Sequence, residues 1–475
     1  MIEITVTKQD QQNITQKEPI AAIATPVGEG GLAVVRVSGK GARALVNSCY
    51  QGPDLNKVKS HTVHYGHIVD PVGNQIDEVM VSMFESPRSY TGEDTVEISC
   101  HGGVLVTQAV LEAVLNAGAR AAEPGEFTQR AFLNGKMELA QAEAVADLIH
   151  AKSSKALDAA HQQLEGKLGQ HIQQFRQEII DATAMVELEL DFVEEDVEFA
   201  NKEQLKQLLE NLDTEIDDLL ETYEAGRLVK HGVKTAIVGW PNAGKSTLLN
   251  ALVGKERSIV TEIAGTTRDT IDVDWSHDGL LFKLIDTAGI RETEDVVEQE
   301  GVRRSKEAIE QADLILYLKD LTTEWTVQER EEVGAYQKLA VQTPFMLIGT
   351  KADLVVDLAQ AERESQHDRL QFDFKISAQK GEQLDALKHG MKKRALESAH
   401  YDPNSILVTS SRHRDALQKA QQSVKQALHA LDQGLSGDFL SIDLRAALKE
   451  LGAITGEITT EDILDSIFSR FCIGK

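Results

Sequence analysis

Cysteine is scarce: Cys49, Cys100 and Cys472 are the only three in 475 residues. They lie far apart and lack metal-ligand spacing, which excludes a disulfide framework and fits a reducing compartment. Positive charge is short as well, with 49 Lys and Arg against 76 Asp and Glu and a net charge of −27. Such a chain is not a general nucleic-acid coat, because phosphate binding depends on clustered cations, so any RNA must meet a local basic patch. No apolar run is long enough to span a bilayer, and the start MIEITVTKQDQQNITQKE is too polar and acidic for a secretory or transit signal. A cytoplasmic protein without a membrane span is expected. Proline is missing altogether between Pro124 and Pro241, so nothing in that stretch forces a helix to break.

What is present is a composition, 41% hydrophobic and 26% charged, typical of soluble globular proteins. The length suggests about three domains. Short apolar runs at Ile20 to Thr25 and Leu32 to Ser38 flank the breaker cluster Pro26 to Gly31, and another at Thr95 to Ser99 feeds a helical stretch ending near Asn116. Strands and a helix in this order read as an α+β domain; His101, before two glycines, reads as a turn residue. Helical spacing follows in Leu164, Leu168, Ile172, Phe175 and Ile179, then in Leu205, Leu208, Leu209, Leu212, Ile216 and Leu219. From Val233 the pattern changes to short buried strands (Thr235 to Gly239, Leu281 to Ile285, Leu314 to Leu318, Phe345 to Gly349) between helical segments, as in a mainly parallel α/β sheet. Helical spacing returns after about His400. Helices with one apolar stripe need a partner, so the simplest arrangement packs the early and late helices together. The α/β segment is then an insertion into a discontinuous helical domain. The expected division is 1–121 for the α+β domain, 122–230 with 400–475 for the all-α domain, and 231–399 for the insert.

The insert carries the chemistry. Gly239-Trp240-Pro241-Asn242-Ala243-Gly244-Lys245-Ser246 matches a phosphate-binding loop, directly after a strand and before the helical Thr247 to Val253. Backbone N–H groups would turn in around the phosphates, Lys245 would add a charge to the β- and γ-phosphates, and Ser246 would bind Mg²⁺. Asp286-Thr287-Ala288-Gly289 supplies an acid for Mg²⁺ through water and a peptide that senses the γ-phosphate. In the polar loop Ala264-Gly265-Thr266-Thr267, Thr267 would join Mg²⁺ only with the triphosphate bound. Thr350-Lys351-Ala352-Asp353 places a carboxylate for the guanine edge, and Ser377-Ala378 would close over the base. Four motifs in this order point to a Ras-like GTPase domain rather than an ATPase. Position 350 holds Thr where such domains carry Asn, which implies weaker binding of the same base. Ile290 stands where Ras-like enzymes carry the water-positioning Gln, and Glu292, Glu294, Glu298 and Glu300 are all in sequence reach of that task.

Further segments carry a resemblance: Ala33-Val34-Val35-Arg36-Val37-Ser38-Gly39, Tyr90-Thr91-Gly92-Glu93-Asp94, His101-Gly102-Gly103, Pro124-Gly125-Glu126-Phe127-Thr128, Arg130-Ala131-Phe132-Leu133-Asn134, Leu139-Ala140-Gln141-Ala142-Glu143-Ala144 and the terminal Phe471-Cys472-Ile473-Gly474-Lys475. With the phosphate loop, they make the chain resemble the tRNA-modification GTPase family MnmE, also called TrmE, over nearly its whole length. The resemblance implies an N-terminal domain similar to folate-binding domains, a helical domain, an inserted G domain, and a homodimer. It also implies a heterotetramer-like complex with the FAD-dependent MnmG, building an aminomethyl or carboxymethylaminomethyl group on C5 of the tRNA wobble uridine. The carbon donor would be a tetrahydrofolate derivative, 5,10-methylene or 5-formyl. By the same resemblance Arg36, Glu97, Lys136 and Lys475 are folate contacts, and Asn242, Thr261, Ile263 and Thr266 form a K⁺ site in a nucleotide loop that also includes Glu262. Glu298 becomes the water-orienting acid beside Lys245. Cys472 is either a thiol adding to the uridine or a packed residue beside the folate pocket. Two other readings stand beside this one: a ribosome-assembly GTPase, and a GTP-driven scaffold for the flavoprotein.

Overall fold

From residue 79 onward in Gln75–Phe84 every second residue is driven out of water: Val79, Val81 and Met83 are buried, and their neighbours are not. The computed structural model describes residues 18–191, 202–254, 272–286, 309–339, 343–355 and 370–475. The chain divides into two units, one of residues 1–149, 161–216 and 415–475, the other of 150–160 and 217–414.

The first unit begins with β1 (Ile20–Ile23), β2 (Gly30–Ser38), α1 (Ala42–Ser48), β3 (Tyr50–Gln51), β4 (Thr62–Val69), β5 (Gln75–Phe84), β6 (Thr95–Gly102), α2 (Val104–Asn116) and β7 (Arg120–Ala121). These strands form one sheet in the order β3-β4-β5-β6-β2-β1-β7, antiparallel throughout except for β1 with β7. Val110, Ala113 and Val114 of α2 close a core with Val35, Val37, Val81 and Ile98. The β4–β5 hairpin was not among the strands expected from the sequence. In β4, Val63 and Tyr65 are exposed while Ile68 is buried, so apolar residues on both faces blur the alternation that marks a strand. His101 also departs from its expected turn. It lies within β6, one residue before the strand's end, where Asp77 accepts its amide at 2.8 Å and holds its Nδ1 at 2.7 Å.

Five helices follow: α3 (Glu126–Leu133), α4 (Leu139–His150), α5 (Ser154–Leu164), α6 (Lys167–Asp191) and α7 (Lys202–His231). In α6 the buried stripe is Leu168, Ile172, Phe175, Ile179, Ala182 and Val186; in α7 it starts with Leu205, Leu209, Leu212 and Ile216. These are the three- and four-residue steps of one helix face.

The second unit holds β8 (Val233–Gly239), α8 (Lys245–Val253), β9 (Asp272–His277), β10 (Leu280–Asp286), β11 (Leu314–Asp320), α9 (Val327–Leu339), β12 (Phe345–Thr350), β13 (Phe374–Lys375) and α10 (Leu384–Ser398). Its sheet runs β13-β12-β11-β8-β10-β9, parallel except for β9 against β10. Cores lie on both faces: Ile237, Leu284, Leu316 and Ile348 enter one, and Ala236, Val238, Ile315 and Leu347 the other. That double burial explains why these strands read as continuous apolar runs.

Three last helices, α11 (Ser411–Asp432), α12 (Gly437–Thr455) and α13 (Glu461–Phe468), complete the chain. Within the first unit, α12 packs along α6, with Arg445 on Glu187 at 2.6 Å. Lys206 on Asp432 and Lys425 on Asp213 join α7 to α11. Among the described residues no helix is long and apolar enough to cross a membrane.

Candidate functional site

The buried strand β8 delivers the phosphate loop. Gly239, at φ 146, lies so close to the Leu318 carbonyl that a Cβ would sit 2.5 Å from its oxygen, which leaves only glycine at this turn. Asn242 takes the left-handed conformation at φ 64, and Gly244 caps α8. The loop therefore wraps toward the amide end of α8, the arrangement that presents N–H groups to an anion. The Lys245 ammonium donates to the Gly239 and Trp240 carbonyls at 2.7 and 3.0 Å. Asn242, Ser246 and Thr247 are exposed and Ala243 is buried. The Trp240 indole N–H donates to Glu332 at 3.0 Å, anchoring the loop's outer side to α9. That anchor was not anticipated; a Trp inside the glycine-rich turn was its only signal.

Strand β12 brings the second half of the site. Thr350 is buried, and its hydroxyl donates to the Ala243 carbonyl at 2.8 Å, with the Lys319 carbonyl at 3.2 Å. It thereby ties the guanine-type motif to the phosphate loop, a bracing task within reach of one hydroxyl. Lys351, at φ 56, places its ammonium 2.5 Å from Asp320. The Asp353 side chain is 7% exposed, with the Lys380 ammonium at 3.7 Å. The buried Ser377 hydroxyl bonds to it and, with Lys380, holds its carboxyl below the usual aspartate range. Ala378 packs against the core beside Ser377. The remaining nucleotide residues, namely Thr261, Glu262, Ile263, Ala264, Gly265, Thr266, Thr267, Thr287, Ala288, Gly289 and Glu298, and the Asp286 side chain, lie outside the described residues.

A second constellation forms in the first unit. Arg36 and Glu97 face each other across β2 and β6, and Nε and Nη2 of the guanidinium both lie 2.9 Å from Oε1 of the carboxylate. The guanidinium also packs 5.5 Å from the Tyr90 ring and 5.7 Å from the Phe127 ring. Its Nη1 makes a long hydrogen bond, 3.4 Å, to the Gly474 carbonyl, so the C-terminal tail reaches Arg36. Gly474 has φ 99, and any Cβ there would run into the Ile23 carbonyl. Phe471 is buried, and Lys475 is half-buried. Lys136 is not brought to Arg36 by any of these contacts; its ammonium donates to the Pro87 carbonyl at 3.0 Å. Cys472 is exposed, whereas Cys49 and Cys100 are buried. Burial pushes the Cys49 thiol up to about 11 and raises Cys100 as well, so neither is a ready nucleophile.

Around this constellation the segments that carried the resemblance clasp one another. Ser38 meets Thr91 at 2.7 Å, Tyr90 meets Thr128 at 2.8 Å, and Asn134 donates to the Thr91 carbonyl at 2.8 Å. Buried Arg130 pairs with Glu126 at 2.9 Å and Glu93 at 3.2 Å. Burial alone would raise the Glu126 carboxyl, but the Arg120 hydrogen bond, the Glu123 amide and Arg130 outweigh it and hold that carboxyl below its usual range.

Comparison with known families matches this architecture. The model of the GTP-binding protein TrmE N-terminus matches residues 19–136, and the MnmE helical domain model matches residues 139–472. The chain belongs to the MnmE family of tRNA modification GTPases. The tRNA modification GTPase MnmE of Salinibacter ruber is 48% identical over 471 residues, covering 97% of this chain and 100% of the relative. That of Lactobacillus delbrueckii subsp. bulgaricus is 45% identical, covering 98% and 100%, and that of Christiangramia forsetii is 44% identical, covering 96% and 99%. Among solved structures, Era in complex with MgGDPNP and a 16S ribosomal RNA segment is 28% identical over 40% of this chain and 65% of that one, with a TM-score of 0.28. In this MnmE-family chain Tyr90 and Phe127, the two rings against Arg36, had gone unnoticed as site residues. Both lie inside the segments that carried the resemblance, but only the fold shows that they share a neighbour.

Proposed function

We propose that this chain is a K⁺-activated GTPase whose G domains dimerise. With the FAD protein MnmG it would add an aminomethyl or carboxymethylaminomethyl group at C5 of the tRNA wobble uridine, using a tetrahydrofolate one-carbon unit. The observation that supports this most is the meeting of Arg36, Glu97 and the Gly474 tail in a chain that also carries a phosphate loop braced by Thr350. A guanidinium and a carboxylate side by side suit a ligand with an acidic tail and a donor-rich ring edge. We take the domains as 1–121, 122–230 with 400–475, and an inserted 231–399, in a cytoplasmic homodimer that assembles with MnmG.

In the nucleotide site Lys245 binds the β- and γ-phosphates, Asp353 accepts two N–H bonds from guanine, and Ser377 with Ala378 covers the base. The exposed Ser246 hydroxyl in the first turn of α8 suits Mg²⁺, with Thr267 as its second ligand and Asp286 acting through water. Asn242, Thr261, Ile263 and Thr266 would hold K⁺, and exposed Asn242 in its left-handed turn leaves its side-chain oxygen available. Bound there, K⁺ supplies positive charge against the phosphate charge that develops in hydrolysis. Glu298 orients the attacking water, a task the aliphatic Ile290 cannot perform. Lys136 and Lys475 complete the folate contacts, and Cys472 is a thiol available to the uridine.

Nucleoside analysis of tRNA from cells lacking this protein tests the reading: loss of the wobble C5 group is expected, and a normal nucleoside profile would overturn it. GTP turnover should also be fast in K⁺ and slow in Na⁺. Equal rates would remove the cation from the mechanism and leave a partner-supplied arginine in its place.

A further inference from the structure

At the edge of the second unit's sheet, β9 ends in His277, and Asp278 (φ 46) with Gly279 (φ 79) turns the chain back into β10. The His277 ring stacks on buried Trp275, centroids 5.5 Å apart and planes within 14°, which fixes where it points. Its Nε2 is buried and has no hydrogen-bond partner. An imidazole nitrogen shut away from water without a partner is costly unless something else occupies its lone pair.

His389 of α10 reaches the same point. The two imidazoles meet edge to face at 4.9 Å. His389 Nε2 lies 3.3 Å from Asp278 Oδ2, and His277 Nε2 lies 3.7 Å from that same oxygen. On its far side His389 Nδ1 is 2.7 Å from the Asp385 carbonyl. A carbonyl only accepts, so the neutral ring carries its proton on Nδ1 and turns the Nε2 lone pair toward Asp278 and His277. This carbonyl-bound far nitrogen is how ligating histidines are oriented. One donor atom from each of the three residues lies within 4.8 Å of the other two. Arms of about 2.0–2.2 Å to a tetrahedral ion put donors roughly 3.3–3.6 Å apart, so the 3.3 Å edge from His389 already has the right length and the 3.7 Å edge from His277 lies just beyond it. The third closes by rotation of His389, which is 64% exposed.

We propose that His277, Asp278 and His389 form a site for a first-row transition ion of the Zn²⁺ class, with a fourth position open to water. Two imidazoles and one carboxylate select such an ion over Mg²⁺ or Ca²⁺, which take oxygen ligands. The site is therefore separate in chemistry from the nucleotide's own Mg²⁺. A bound ion would pin the β9–β10 turn to α10. The competing occupant is the Lys392 ammonium, 3.6 Å from Asp278 Oδ2. It also donates to the Asp278 carbonyl at 3.0 Å, and can stay on that carbonyl while the carboxylate turns to an ion.

The test uses the full chain, stripped with a chelator and free of nucleotide. Zn²⁺ is titrated against a chromophoric chelator, and thermal unfolding is followed with and without Zn²⁺. The unmodified chain should take up one equivalent more tightly than any further ones and unfold at higher temperature with it. His389→Gln and Asp278→Asn should each weaken that equivalent by at least about tenfold and lose the thermal shift, while GTP affinity, reporting an intact fold, stays the same. No tight equivalent in the unmodified chain, or its retention in both variants, would overturn the site and leave the cluster as a hydrogen-bonded charge group.

Discussion

Lys245 and Arg36 are both cations placed by buried strands, yet their partners come from opposite ends of the scale of sequence separation. Lys245 is held by carbonyls five and six residues away, and Arg36 by groups 61 and 438 residues away. The phosphate loop is thus largely a local object: a strand, a turn that needs glycine at Gly239, and a helix start, braced from a distance by Thr350 and Glu332. The Arg36 constellation is assembled from five separate segments, so its geometry exists only once those segments have closed on each other against chain entropy. Buried ion pairs around Arg130 and Glu126 are part of that closure. Substitutions near the loop should therefore change ligand binding, whereas substitutions behind Arg36 should change stability first.

Glu126→Gln would separate the two regions most widely. Removing one partner from a buried charge network costs about 3–5 kcal/mol, read by chemical denaturation, while GTP affinity of the folded variant should be unchanged. The effect also has a pH window. Because the folded Glu126 carboxyl titrates below its ordinary value of 4.5, its contribution is complete above that value and is lost as pH falls through the lower folded one. The gap between the unmodified chain and Glu126→Gln should accordingly narrow as the pH is lowered below that ordinary value; a gap that stays constant over the whole acid range in which the chain remains folded would mean that Glu126 acts by shape alone.

Next in size is Asp353→Asn. If each guanine N–H bond to the carboxylate is worth about 1.5–3 kcal/mol, GTP affinity should fall at least tenfold and preference should move toward xanthosine triphosphate, in a competition assay. Unchanged preference would take Asp353 out of the site. Arg36→Ala should cost folate one charge-assisted bond, again about 1.5–3 kcal/mol by calorimetry, and leave GTP turnover as it was. A change in turnover instead would show that the two regions are coupled. The smallest effect expected is that of Thr350→Val, which keeps the shape and removes the hydroxyl. Leaving the buried Ala243 carbonyl without its donor costs about 1–3 kcal/mol, expected at the low end as a several-fold loss of GTP affinity with no change in base preference.

Much of the second unit was legible in the sequence because its strands are buried on both faces. Within Val233–Gly239, Leu314–Asp320 and Phe345–Thr350, residues 236–238, 314–318 and 345–348 are unbroken apolar runs, and such a run followed by a glycine turn and a helix defines a phosphate loop within a dozen residues. The proline-free helices were legible for the same reason, since the spacing of Leu168, Ile172, Phe175 and Ile179 marks one face whatever covers it. The β4–β5 hairpin was not, because its apolar residues point both ways, and His101 was misread because the Asp77 carboxylate that keeps it in the strand lies in a different strand. Tertiary structure alone decided that Arg36 faces Glu97, that the tail at Gly474 reaches them, and that His277 and His389 converge on Asp278. Each of these depends on strand register or on the docking of a distant segment. A one-residue slip in the pairing of β2 with β6 would turn Arg36 to the other face of the sheet without altering any local pattern.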